Sequence, residues 1–67
     1  MVSKIKRDGL DRNTNRFVYV IKDHSFYGKL SEDEKGFYVR NRCGNVLRRI
    51  RTGDVIEIGR KIYEVEL

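Results

Sequence analysis

Six short runs of strand-forming residues, separated by turn-forming clusters, constrain this chain more than any other feature. They are "RFVYVIK" (16–22), "SFYGKL" (25–30), "GFYVRN" (36–41), "NVLRRI" (45–50), "DVIEI" (54–58) and "KIYEVEL" (61–67). Between and before them fall "RDG", "DRNTN", "KDHS", "SEDEKG", "RCGN", "RTGD" and "GR". Proline is absent, so Gly, Asn, Asp and Ser do the punctuating. Strand-length runs recurring about every ten residues, with no long 3.6-residue apolar period, are the pattern of small barrels and sandwiches. The chain has 67 residues, which means one domain. A domain this size buries roughly 60% of the surface its unfolded chain exposes, too little for a deep cleft between lobes. The expectation is an all-β single domain over residues 1–67. It is a small barrel or sandwich of five to six short, mostly antiparallel strands.

One short helical turn is allowed for near 31–35. Ser31 and Glu34 fit the S-x-x-E capping box, with Gly36 as a stop. A polar hairpin loop fits the same residues. Residues 1–15 read either as an edge strand or as a loose basic arm.

Alternation assigns faces. Phe37 and Val39 share one side of their run, with Tyr38, Arg40 and Arg42 on the other. Ile56 and Ile58 share a side against Val55 and Glu57, and Tyr63, Val65 and Leu67 against Glu64 and Glu66. "FVYVI" is apolar on both faces and reads as a central strand covered on both sides. The seven aromatics, Phe17, Tyr19, Phe26, Tyr27, Phe37, Tyr38 and Tyr63, are the candidate core. "RTGD" reads as a tight turn into a strand, with Gly53 at positive φ and the Asp54 carboxylate as its cap.

Charge is unevenly placed. From Lys35 to Arg51 there are six basic residues and no acid, while the other fifty residues carry nine basic and ten acidic groups. The whole positive excess therefore sits in one window. If that window is a hairpin around "RCGN", Arg40 and Arg42 come close to Arg48 and Arg49, and like charges so placed repel. A polyanion would offset the repulsion, and arginine's planar fork suits phosphate. The competing reading is a solvated face whose arginines pair with Glu32, Asp33, Glu34, Glu64 or Glu66. Tyr38 shares a face with Arg40 and Arg42, where an aromatic either stacks on an unpaired base or packs beneath a neighbouring strand. Tyr27, alternating with Lys29, has the same two uses. The candidate nucleic-acid contacts are Tyr38, Arg40, Arg42, Arg48, Arg49 and Arg51.

No catalytic constellation is present, and the chain reads as a non-enzymatic module without cofactor. Cys43 is the single cysteine, so an internal disulfide is impossible. With His24 as the single histidine, a Cys/His zinc site lacks ligands. The N-terminus has no signal-like apolar run, and no segment is long enough to span a bilayer. A reducing, cytoplasmic setting is the default expectation.

Residues 36–67 resemble the C-terminal half of a forkhead-associated (FHA) domain. Gly53, Asp54, Ile56, Ile58 and Gly59 fit its closing "GD-x-I-x-I-G" element, and Gly44-Asn45 stands in reversed order where that family has an Asn-Gly turn. The resemblance implies a β-sandwich reading phosphothreonine, with Asn45 the one partial binding candidate. "IRTGDVIEI" is also similar to an element of OB-type barrels such as the small bacterial translation initiation factor, which implies RNA binding on a barrel face. The first expectation is thus a basic β-barrel that binds RNA or single-stranded DNA through an arginine-rich hairpin. The alternative is a protein-interaction module on an acidic or phosphorylated partner, as in an accessory protein of a phage or mobile element.

Overall fold

The computed structural model describes residues 2–21 and 26–67. The break at 22–25, with His24, lies outside the described residues. The fold is all-β with one short helix: β1 (Ser3–Ile5), α1 (Arg7–Arg12), β2 (Phe17–Val20), β3 (Phe26–Asp33), β4 (Gly36–Arg40), β5 (Val46–Arg49), β6 (Val55–Ile58) and β7 (Lys61–Val65). The seven strands form one mixed sheet in the open order β1-β7-β6-β2-β3-β4-β5. Neither the closed barrel nor the two-sheet sandwich of five to six strands is formed. The added strand is β1, which pairs in parallel with β7 and takes one edge. The other pairings are antiparallel.

The sheet cannot be flat. Three strands separate β5 from β6, which on a flat sheet would put them about 19 Å apart. Residues 50–54 must bridge that gap, and fully extended they reach only about 20 Å. They are not extended, because the Asp54 N–H bonds the Arg51 carbonyl at 3.1 Å in a tight turn. The sheet therefore curls until its β5 edge approaches the start of β6. Gly28 marks the bend. A Cβ there would run into the Arg40 carbonyl oxygen and come within 2.9 Å of Val39 Cγ1, so only glycine lets β4 approach so closely.

The curl encloses an aliphatic core of Ile5, Leu10, Val18, Val20, Leu30, Val39, Ile50, Ile56, Ile58 and Val65 with Phe37. Residues expected as an edge strand or loose arm contribute two of these, Ile5 from β1 and Leu10 from α1. Leu10 is what draws this polar six-residue helix onto the core, and Asp8 in its first turn with Arg12 in its last suits the helix dipole. Residues 31–33 are strand rather than helix. Asp33 pairs with Gly36 across a two-residue turn, and the Lys35 N–H bonds Asp33 Oδ1 at 2.9 Å. A hairpin satisfies the backbone groups that a one-turn helix would leave open.

Two further expectations are corrected. β2 is central but not covered on both sides, because Val18 and Val20 are buried whereas Phe17 is exposed. The aromatics are not the core. Phe37 alone is fully inside, Tyr63 packs against it, and the others lie outside or half-buried.

Candidate nucleic-acid interface

Strand alternation gathers Phe17 and Tyr19 of β2 and Tyr27 of β3 on the outer face of the sheet. Phe17 lies opposite Lys29, which lies opposite Arg40; Tyr19 lies opposite Tyr27 on one side and Glu57 on the other. The diagonal neighbours Phe17 and Tyr27 stack in parallel, with centroids 5.3 Å apart and planes 3° apart. Tyr19 leans on Tyr27 at 6.5 Å and 56°. Lys29 Nζ sits 5.5 Å from the Phe17 ring centroid. Phe17 is 54% exposed and Tyr27 58%, so this pair stands in water.

The stacked pair forms a ridge between two shallow depressions, because both rings line each of them. On one side the walls are Lys29, Arg40, Asn41 and Arg42. On the other they are Tyr19, Glu57, Gly59, Arg16 and Arg60. Arg40 and Arg42 also line a third, more polar hollow with Tyr38, Ser31, Asn15 and the acid Glu32, so an arginine track with one carboxylate on its edge continues from the ridge to the 41–45 turn. That turn is pinned by Asn41 Oδ1, which accepts the N–H groups of Cys43 and Asn45 at 2.9 Å each. Cys43 is exposed and unbridged there.

The six sequence-predicted residues separate into three groups. Tyr38, Arg40 and Arg42 come together on the outer face. Arg40 Nε donates to Ser31 Oγ at 3.0 Å and its Nη1 to the Asn41 carbonyl at 3.2 Å, which fixes the guanidinium between β3 and the 41–45 turn. Arg48 and Arg49 are held by acids instead. Arg48 lies opposite Val39 on the core side of β5. Its Nη1 and Nη2 donate to Asp54 at 2.8 and 3.0 Å, with side chains 16% and 5% exposed. Asp54 Oδ2 also accepts the Arg51 N–H at 2.7 Å, capping the turn as expected. Arg49 donates twice to Asp33 at 3.0 and 2.7 Å and lies 5.5 Å from the Tyr38 ring centroid. The Arg49 hydrogen bond, aided by the Lys35 N–H, lowers the Asp33 carboxyl to about 2, and Asp33 raises Arg49 in turn. Arg51 is exposed on the turn before β6.

The repulsion expected within the hairpin is thereby avoided. A bulge between Val39 and Arg40 sets Arg40 opposite Val46 and leaves Leu47 as the extra residue, while Arg48 and Arg49 point to opposite faces. Sequence reasoning missed Phe17, Tyr19, Arg16 and Arg60. The alternation of Phe17 and Tyr19 against Val18 and Val20 was the available signal, obscured because both sets are apolar.

Arg60 is in an unusual backbone state. It closes the β6–β7 hairpin with Gly59, and both have positive φ, 57° for Gly59 and 70° for Arg60. A two-residue hairpin turn requires that geometry, and an L-residue other than Asn or Asp adopts it at a cost of about 1 kcal/mol or more. Among the described residues no side-chain hydrogen bond or ion pair engages Arg42, Arg60 or Glu57. Also among them, no His, Cys, Asp and Glu group has the makings of a metal site, and no helix is long and apolar enough to cross a membrane. Compared with known proteins, the chain matches no family model, no curated protein and no solved structure.

Proposed function

We propose that the protein binds single-stranded nucleic acid, RNA or DNA, on the outer face of β2, β3 and β4. The observation that carries this reading is the Phe17–Tyr27 stack, two large rings more than half exposed and bordered by Arg16, Lys29, Arg40, Arg42 and Arg60. Leaving such rings in water forgoes their burial energy, of about 1.5–3 kcal/mol for a fully buried Phe. Bases recover it, because base–aromatic stacking contributes about 1–3 kcal/mol per base and needs no particular sequence. The cations on both sides of the ridge hold the phosphates that follow. Duplex DNA is the poorer fit, because its bases are already stacked and offer the Phe17–Tyr27 ridge no free face.

The test is a titration with single-stranded RNA, single-stranded DNA, duplex DNA and a phosphothreonine peptide at two salt concentrations. Single strands should bind with a slope of about −0.7 in log affinity against log salt per phosphate contact. Tyr27→Ala should weaken binding by about 1–3 kcal/mol with the slope unchanged. Binding of the phosphopeptide in preference to either single strand refutes this reading in favour of the FHA-like one.

A further inference from the structure

The depression on the β6 side of the ridge contains a group that a purely phosphate-binding track would exclude. Glu57 stands directly opposite Tyr19 on β2 and Ile62 on β7, half-buried. Glu57 lines the depression together with Phe17, Tyr19, Tyr27, Arg16 and Arg60. Arg60 and Glu57 line the same hollow, yet no ion pair joins them among the described residues. A carboxylate repels phosphate, so its use in this place must be toward a base.

We propose, building on the single-strand reading above, that this depression is a guanine-selective slot. A carboxylate has only acceptors, two oxygens in one plane. A base splayed from a single strand is read along its Watson–Crick edge while an aromatic ring carries its face. Guanine alone among the standard bases presents two adjacent donors on that edge, N1–H and the N2 amine, and so pairs with both oxygens. Cytosine and adenine set one amino donor beside a ring-nitrogen acceptor. Uracil and thymine flank a single N–H with two carbonyls, which oppose the carboxylate. Tyr27 and Tyr19 supply the stacking surface. Arg60 and Arg16 carry the flanking phosphates and offset the charge of Glu57. The same arrangement accounts for Arg60 holding a backbone state better suited to Asn or Gly: the guanidinium is wanted at that corner of the slot.

The test uses fluorescein-labelled pentanucleotides TTXTT in fluorescence anisotropy at low salt, with X as guanine, inosine, adenine, cytosine or thymine. Guanine should bind about tenfold or more tighter than adenine, cytosine and thymine, as a two-bond base contact does. Inosine, which keeps N1–H and lacks the amine, should fall between. Glu57→Gln should bring the guanine pentamer down to the level of the thymine one, because an amide offers one acceptor beside a donor. Equal binding of all five pentamers by the wild-type protein overturns the guanine slot and leaves the stacking platform standing. So does a guanine preference that survives Glu57→Gln. If no pentamer binds, the platform fails and the slot with it.

Discussion

Replacing Arg48 by Met separates the two roles that an arginine of this hairpin can have. The change keeps an apolar stem of similar length and removes the guanidinium. Asp54, with its side chain 5% exposed, then loses a bidentate partner. Removing one member of a buried pair costs about 3–5 kcal/mol, because the other charge stays desolvated. Arg48 itself is 16% exposed. Water can therefore reach the site, and the lower end, about 3 kcal/mol, applies. A chain of this length has a total stability of only about 3–10 kcal/mol. The midpoint of thermal unfolding, followed by circular dichroism, should fall by about 12–24 °C. Adding Asp54→Asn should restore part of the loss, because the amide still caps the Arg51 N–H and no charge is left buried. Below the transition, Arg48→Met should bind single strands with the wild-type salt slope. A drop of less than about 4 °C would show that the pair stabilises by under 1 kcal/mol. A slope flattened by about 0.7 would instead put Arg48 on a phosphate. Either result refutes the reasoning.

Gly28→Ala should destabilise by about 3 kcal/mol or more, since the new methyl meets backbone that cannot yield; urea denaturation measures it, and a change under about 1 kcal/mol would mean β4 has room to move. Arg60→Asn should stabilise the fold by about 1 kcal/mol, because Asn accepts the left-handed state, while flattening the salt slope of binding by about 0.7; improved stability with unchanged binding would remove Arg60 from the interface. Asp33 should titrate at about 2 by carboxyl-detected NMR and return toward its ordinary value in Arg49→Ala. Because its folded value lies below the unfolded one near 3.9, its stabilising contribution is complete above the unfolded value and is lost as pH falls through about 2.

Short alternating runs require strands, and the Gly53–Asp54 turn follows from chemistry confined to four residues, so both are legible in the sequence alone. The face shared by Tyr38 and Arg40 also follows from period two. Arg48 and Arg49 are not separable in this way, since their fates depend on acids six and sixteen residues distant. Nor is the exposure of Phe17 and Tyr27. Alternation states which residues share a face, and composition states that they are apolar, but neither says which face meets water. The tertiary structure decides that. The curl forced by the short 50–54 link closes the aliphatic face into a core, and α1 adds Leu10 to it. Among the described residues, no second layer covers Phe17 and Tyr27 on the opposite face. Phe17, Tyr19 and Tyr27 are left outside because the interior is filled by smaller residues that pack within a tight curl.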